Sequence, residues 1–150
     1  MDETAYHATR KEINRLPCVF EKALLARCVV CGLAMKQLLA EREMMACTDP
    51  LARASCAQLA GLLREKSAFA LKLKDAVRIL PHAQTLRIQC GGLHGLRDAI
   101  DPGAPPPDVH RLVRKAQETF GAMDALPFSD VVQGVARWEI KKRFHPKDDA

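Results

Sequence analysis

The chain has 150 residues, 48% hydrophobic and 27% charged, with a formal net charge of +5. That length and balance support one domain with a real core and exclude a disordered, charge-dominated chain. The apolar runs fall short of the roughly 18 residues that cross a bilayer, so no membrane association is expected. Aromatic residues, at 5%, are too few for a base-stacking platform.

The opening stretch, MDETAYHATRKEINRL, is polar and mixed in charge. It lacks the apolar centre of a secretory signal, and a cytoplasmic protein is expected. Proline punctuates the rest of the chain. Leu-Pro occurs at Leu16-Pro17, Leu80-Pro81 and Leu126-Pro127, and Thr48-Asp49-Pro50 has the same character. A proline in the first helical turn loses no hydrogen bond that the helix needs, and its φ is preset. Helices are therefore predicted over 17–46, 50–73, 81–89, 92–100, 109–124 and 128–143. Asp49 is the expected N-cap of the second.

In the first and longest of these, Leu24, Cys28, Cys31, Met35, Leu38 and Leu39 fall on one arc at the helical period. In the second, Leu51, Leu59, Leu62, Leu63, Phe69, Ala70 and Leu73 form a stripe with Cys56 at its edge. The short turn between them predicts an antiparallel hairpin. The stretch DPGAPPPD, Asp101 to Asp108, reads as a stiff proline-rich linker. TLRIQC is the lone strand candidate. The expected fold class is all-α, a helical bundle built on a long antiparallel helix hairpin. A cysteine-bearing region spans residues 1–100, a linker spans 101–108, and a cysteine-free C-terminal helical pair lies within 109–150.

All six cysteines, Cys18, Cys28, Cys31, Cys47, Cys56 and Cys90, precede residue 91. In a reducing compartment they read as metal ligands, reactive thiols or buried reduced side chains rather than a disulfide framework. Their absence from the C-terminal third favours a site. Cys28 and Cys31 form a C-x-x-C pair, and residues three apart share a helix face, so both thiols suit one ion or one cluster edge. The competing reading is that cysteine is a small hydrophobe common in cores. Cys90 precedes Gly91-Gly92, a pair that lets backbone approach a bulky ligand, with a helix C-cap as the competing reading.

Geometry ranks the others. In a continuous helix Cys47 stands about 24 Å from Cys31 and Cys18 about 15 Å from Cys28. Cys47 can join them only if the first helix breaks. A milder distortion near Val29, Val30 and Gly32 brings Cys56 closer in level. The expected ligand set is Cys28, Cys31, Cys56 and Cys90, with Cys18 and Cys47 in reserve as further ligands or reactive thiols. His82 and His94 are lesser candidates.

Four thiolates suit tetrahedral zinc or an iron–sulfur cluster. Structural zinc usually takes two closely spaced pairs, and there is a single C-x-x-C here. A [4Fe-4S] cluster is therefore expected, with zinc as the alternative. No C-x-x-C-H, H-E-x-x-H, G-x-S-x-G or phosphate-binding glycine loop occurs, and no enzymatic turnover is expected. The expected role is electron transfer or redox sensing with a redox or regulatory protein partner. Two alternatives stand beside it. One is a helical adaptor with buried reduced cysteines. The other is a cluster-bearing nucleic-acid-binding regulator using Arg137, Lys141, Lys142 and Arg143. Nucleic-acid binding is expected to be weak or absent, because a basic helix end is also favoured by the helix dipole.

Overall fold

The computed structural model describes residues 2–72 and 79–139. Among them the order is α1 (Glu3–Ile13), α2 (Glu21–Leu25), β1 (Ala34–Leu39), β2 (Arg42–Cys47), α3 (Pro50–Ala70), α4 (His82–Ile100), α5 (Val109–Phe120) and α6 (Phe128–Arg137). A 3-10 turn, Met123–Ala125, lies between the last two helices. Lys141, Lys142 and Arg143 lie outside the described residues, as do the ends of the helices predicted over 50–73 and 128–143.

The all-α expectation is overturned, and so is the long first helix. Residues 17–46 form the short helix α2, an irregular segment and most of an antiparallel hairpin. Strand β1 pairs with β2 in register from Ala34 opposite Cys47 to Leu39 opposite Arg42. The turn is Ala40-Glu41, with φ of 50° and 69°. Two left-handed residues are what a two-residue type I′ turn requires. The usual Asn-Gly signature is missing, and the strands are rich in Leu, Met, Ala, Lys and Glu, which favour helix. Tertiary pairing overrides that preference. The supposed apolar arc is not a core face, since Met35 is 49% and Leu38 67% exposed. Met44 and Ala46 of β2 are buried instead.

The polar opening stretch, not predicted as helical, forms α1. Asp2 caps it by accepting from the Ala5 amide at 2.7 Å, with Glu3 in the first turn and Arg10 and Lys11 in the last. This arrangement complements the helix dipole. Its polar surface has little to bury, so only Tyr6 is inaccessible. Arg10 pairs with Glu21, Arg42 pairs with Glu3, and the Arg42 guanidinium lies 4.4 Å from the Tyr6 ring centre.

Locally signalled starts are where the sequence places them. Helix α3 begins at Pro50, and the Asp49 carboxylate accepts from the amides of Leu51 at 2.9 Å and Ala52 at 3.3 Å. Asp108 caps α5 through the Arg111 amide at 3.1 Å. Gly121 ends α5 with φ of 87°, a conformation that costs glycine little.

The two helices predicted over 81–89 and 92–100 are one, because α4 runs unbroken through Gly91-Gly92. These glycines serve packing. A Cβ on Gly95 would stand 2.5 Å from the Val131 carbonyl oxygen, and one on Gly91 would stand 2.7 Å from the Val135 Cα. From the other side, a Cβ on Gly134 would meet the Gly91 carbonyl oxygen at 2.6 Å. Helices α4 and α6 thus touch backbone to backbone. Arg87 of α4 adds a hydrogen bond from Nε to the Val135 carbonyl at 3.0 Å, which also accepts from the Trp138 amide at 3.2 Å at the end of α6.

One hydrophobic core runs through both sides of the proline-rich stretch. It joins Phe20, Ala23 and Val29 to Leu59 and Leu63 of α3, Leu93 and Leu96 of α4, Val113 and Ala116 of α5, and Val131 and Val135 of α6. Each fully buried large aliphatic side chain here contributes about 1.5–3 kcal/mol. The end of the stretch 101–108 is packed down at the buried Pro107, while most of the residues before it are exposed. The Val30 amide donates to the Pro107 carbonyl at 3.1 Å, and the Val109 amide donates to the Val30 carbonyl at 2.8 Å.

Candidate functional site

Four cysteines are free thiols, Cys18, Cys31, Cys47 and Cys56, and all four line the same small pocket. They come from four separate segments. Cys18 lies before α2, where its amide donates to the Met45 carbonyl at 3.0 Å while the Cys47 amide donates to the Leu16 carbonyl at 2.7 Å. That bridge lays residues 16–18 along the outer edge of β2. Cys47 ends β2, directly opposite Ala34 at the start of β1. Cys31 enters the turn before β1, which is fixed by the Gly32 amide donating to the Asp108 carboxylate at 2.9 Å. Cys56 lies on α3, and Arg53 one turn earlier ties that helix to the Cys18 segment through the Pro17 carbonyl at 2.7 Å.

The rest of the wall is Val19, Leu33, Ala34, Ala52, Val109, Arg53 and His110. The cavity measures about 20 Å³, room for roughly one water-sized body. Partial burial governs the thiols. Burial pushes Cys18 up to about 11; a hydrogen bond from the Phe20 backbone pulls the other way, and the neighbouring Cys31, Cys47 and Glu21 raise it further. Burial pushes Cys56 up to about 12, with Cys18, Cys31 and Cys47 adding to the rise. Both of these thiols therefore feel Cys31 and Cys47. Burial, with the neighbouring cysteines adding to it, holds both protonated near neutrality. A bound cation reverses this, because a coordinated thiol is deprotonated. Among the described residues, no three Cys, His, Asp or Glu groups already converge at the spacing that would hold one metal ion.

The expected ligand set is divided between two places. Cys31 and Cys56 line the pocket, together with the reserve pair Cys18 and Cys47. Cys28 and Cys90 are joined in a disulfide, with Cα atoms 6.1 Å apart. The C-x-x-C pair is split because its residues are not helical. Arg27 is left-handed, with φ of 62°, and the chain then buries Val29 while leaving Val30 57% exposed. Cys90 sits inside α4 and not in a ligand loop, since Gly91-Gly92 continue the helix against α3 and α6. The Gln89 side chain accepts from the Ala23 amide at 3.1 Å and donates to the Val19 carbonyl at 3.2 Å. His94 meets the Cys28 carbonyl at 2.7 Å. Residues 89–94 of α4 thus clamp the segment carrying Cys28. His82 is exposed at the start of α4.

Sequence reasoning missed Arg53 and His110, and it placed Cys18 and Cys47 second. One local signal existed for Cys47, which immediately precedes the Thr48-Asp49-Pro50 helix start. No protein-family profile, curated protein or solved structure matches the chain. Among the described residues no helix is long and apolar enough to cross a membrane.

Proposed function

We propose that the protein holds a cysteine-ligated metal centre at Cys18, Cys31, Cys47 and Cys56 and works in electron transfer or redox sensing. The centre would be an iron–sulfur cluster, for which the walls must move apart from the present void of about 20 Å³, or, as the alternative, a single zinc ion, which is closer to the size of that void. One observation carries this reading: four thiols from four separate segments border a single small, mostly apolar pocket. Cysteines that merely fill a core have no reason to converge from a loop, a turn, a strand end and a helix. The donor set suits soft metals, and the apolar walls suit a cluster. When bound, such a centre supplies one-electron redox chemistry.

This chain's own residues would supply the ligands, exclude water and balance charge. Val19, Leu33, Ala52 and Val109 would give the centre apolar walls. Arg53 places a cation in the wall. The Phe20 backbone stabilises the Cys18 thiolate by hydrogen bonding. Cys31 also lines a second pocket, beside Val30 and Lys36, so a centre bound there lies one side chain from the surface. That position suits exchange with a redox protein partner. None of the four cysteines is a near neighbour of another in sequence, which favours a cluster over the paired spacing usual for structural zinc.

The test is anaerobic purification of the full chain, a visible spectrum, and counts of iron, sulfide and zinc. The expected result is one metal centre per chain, lost in Cys18→Ala, Cys31→Ala, Cys47→Ala and Cys56→Ala. It is kept in Cys28→Ala and Cys90→Ala. Folded protein that binds neither iron nor zinc after reconstitution would sink the metal reading and leave a helical adaptor. Loss on Cys28→Ala with retention on Cys47→Ala would move the centre to the other cysteine set.

A further inference from the structure

The disulfide has surroundings of its own. Cys28 and Cys90 line a cavity of about 220 Å³ with Arg27, Leu86, His94 and Trp138 among its walls. The two sulfurs are unequal. Cys90 is 1% exposed inside α4, whereas Cys28 is half-buried on the irregular segment after α2. The other four cysteines remain thiols, so oxidation is confined to this pair among the described residues. In a chain without a disulfide scaffold, an isolated bridge facing a cavity is more characteristic of redox chemistry than of a staple.

The chemistry of the walls fits exchange. The Cys28 carbonyl can only accept, so His94 Nε2 carries the proton in their 2.7 Å hydrogen bond. In the neutral ring, Nδ1 then keeps its lone pair, which gives the site a base one helical turn beyond Cys90. Cys28 Sγ lies 3.4 Å from the Ala23 carbonyl oxygen. A thiol can donate to that oxygen and a disulfide sulfur cannot, so the reduced state gains a contact. Arg27 supplies a fixed cation, and neither Asp nor Glu is among the lining residues. The cavity lies below the usual 300–1,000 Å³ range of pockets that engulf a ligand, so it admits one cysteinyl arm and leaves the rest outside.

We propose that Cys28 and Cys90 form a redox-active dithiol–disulfide couple that exchanges with a small anionic thiol whose cysteinyl arm enters this cavity. This does not rest on the metal centre. In the reductive direction, the incoming thiolate bonds to Cys28 Sγ and the bond to Cys90 breaks. The electron pair leaves on Cys90, which takes a proton. A second thiolate then removes the first as a disulfide and leaves Cys28 as a thiol. Two external thiols are oxidised and one protein disulfide is reduced. The reverse begins with Cys28 attacking an external disulfide and ends with Cys90 displacing the thiol bound at Cys28. The more exposed sulfur is the point of entry, and the buried one resolves.

The test uses the full-length chain in mixtures of reduced and oxidised glutathione, quenched by alkylation and mapped by mass. Trp138 is the single tryptophan and lines the same cavity, so its emission reports the state of the bridge. The expected result is reversible opening and closing of the folded chain, reaching the same endpoint from either side. Trp138 emission should rise on reduction. In Cys90→Ser the glutathionyl adduct should accumulate on Cys28, and in Cys28→Ser no adduct should form on Cys90. If either variant fails to fold, brief exposure of the unsubstituted chain to glutathione should still trap the mixed disulfide on Cys28 first. Arg27→Ala should slow exchange with charged glutathione by about fivefold, the factor for one charge at about 4 Å in water, but not exchange with neutral hydroxyethyl disulfide. A bridge that opens only in denaturant, or adducts confined to Cys18, Cys31, Cys47 and Cys56, would overturn the proposal.

Discussion

The contact between α4 and α6 and the four-thiol pocket treat small residues in opposite ways. At the helix contact the chain removes side chains altogether. Gly91, Gly95 and Gly134 let backbone meet backbone, and a single added methyl would stand 2.5–2.7 Å from main-chain atoms across the contact. At the pocket the chain places four side chains of nearly the same size around a void of about 20 Å³ and does not close it. Both regions border the same core. Their difference shows that this fold can bring segments into full contact where nothing else is required. The void at the thiols is small beside the cavity of about 220 Å³ at the disulfide, and what sets it apart is its ring of four thiols.

The comparison can be broken most forcefully at its tight end. Gly95→Val forces a branched side chain into the Val131 main chain and should cost about 3 kcal/mol or more, near the upper range for overpacking. Urea unfolding followed by circular dichroism measures it. A loss under about 1 kcal/mol would show that α4 and α6 separate easily, and the contrast with the pocket would disappear.

The pocket end should show itself in alkali. The ordinary thiol value is 9.0, and burial raises Cys18 to about 11 and Cys56 to about 12. Above pH 9.0 the unfolded chain releases these protons while the folded chain still holds them, so stability falls as pH rises. The contribution is whole below pH 9.0 and is lost progressively toward pH 11 for Cys18 and pH 12 for Cys56. Thermal melts of metal-free protein across that range should decline, and less steeply in Cys18→Ala and Cys56→Ala. A bound metal, which already holds the thiolates, should flatten the decline. Equal slopes in all three proteins would mean that the pocket is wet.

The smallest effect sharpens the comparison at the hairpin that carries Cys31 and Cys47 to the pocket. Ala40 and Glu41 both adopt left-handed backbone. Replacing them together by Asn-Gly should stabilise the protein by about 1 kcal/mol, since a left-handed non-glycine residue costs roughly 1–2 kcal/mol. The readout is the urea midpoint of the double variant. Destabilisation would mean that the turn is held by its own side chains.

Read alone, the sequence determined features that depend on near neighbours. The Asp49-Pro50 start of α3 and the Pro127 entry to α6 are visible because the start signals lie within a few residues of the helix, and the start of α5 is visible as the end of the proline-rich stretch. The confinement of the cysteines to the first ninety positions was visible too. The hairpin was not, because its turn lacks glycine and asparagine and its strands are built from helix-favouring residues. Neither was the continuity of α4, since Gly91-Gly92 signals a break to any local reading and becomes a contact surface only when α6 lies against it. The division of the cysteines was the furthest out of reach. It depends on a left-handed Arg27 that turns Cys28 toward α4, and on strand pairing that sets Cys47 at the same end of the hairpin as Cys31. Spacing along a chain fixes which side chains share a helix face. Only the packed fold fixes which distant segments share a cavity, because that depends on the joint burial of Phe20, Val29, Leu59 and Val109 in one core.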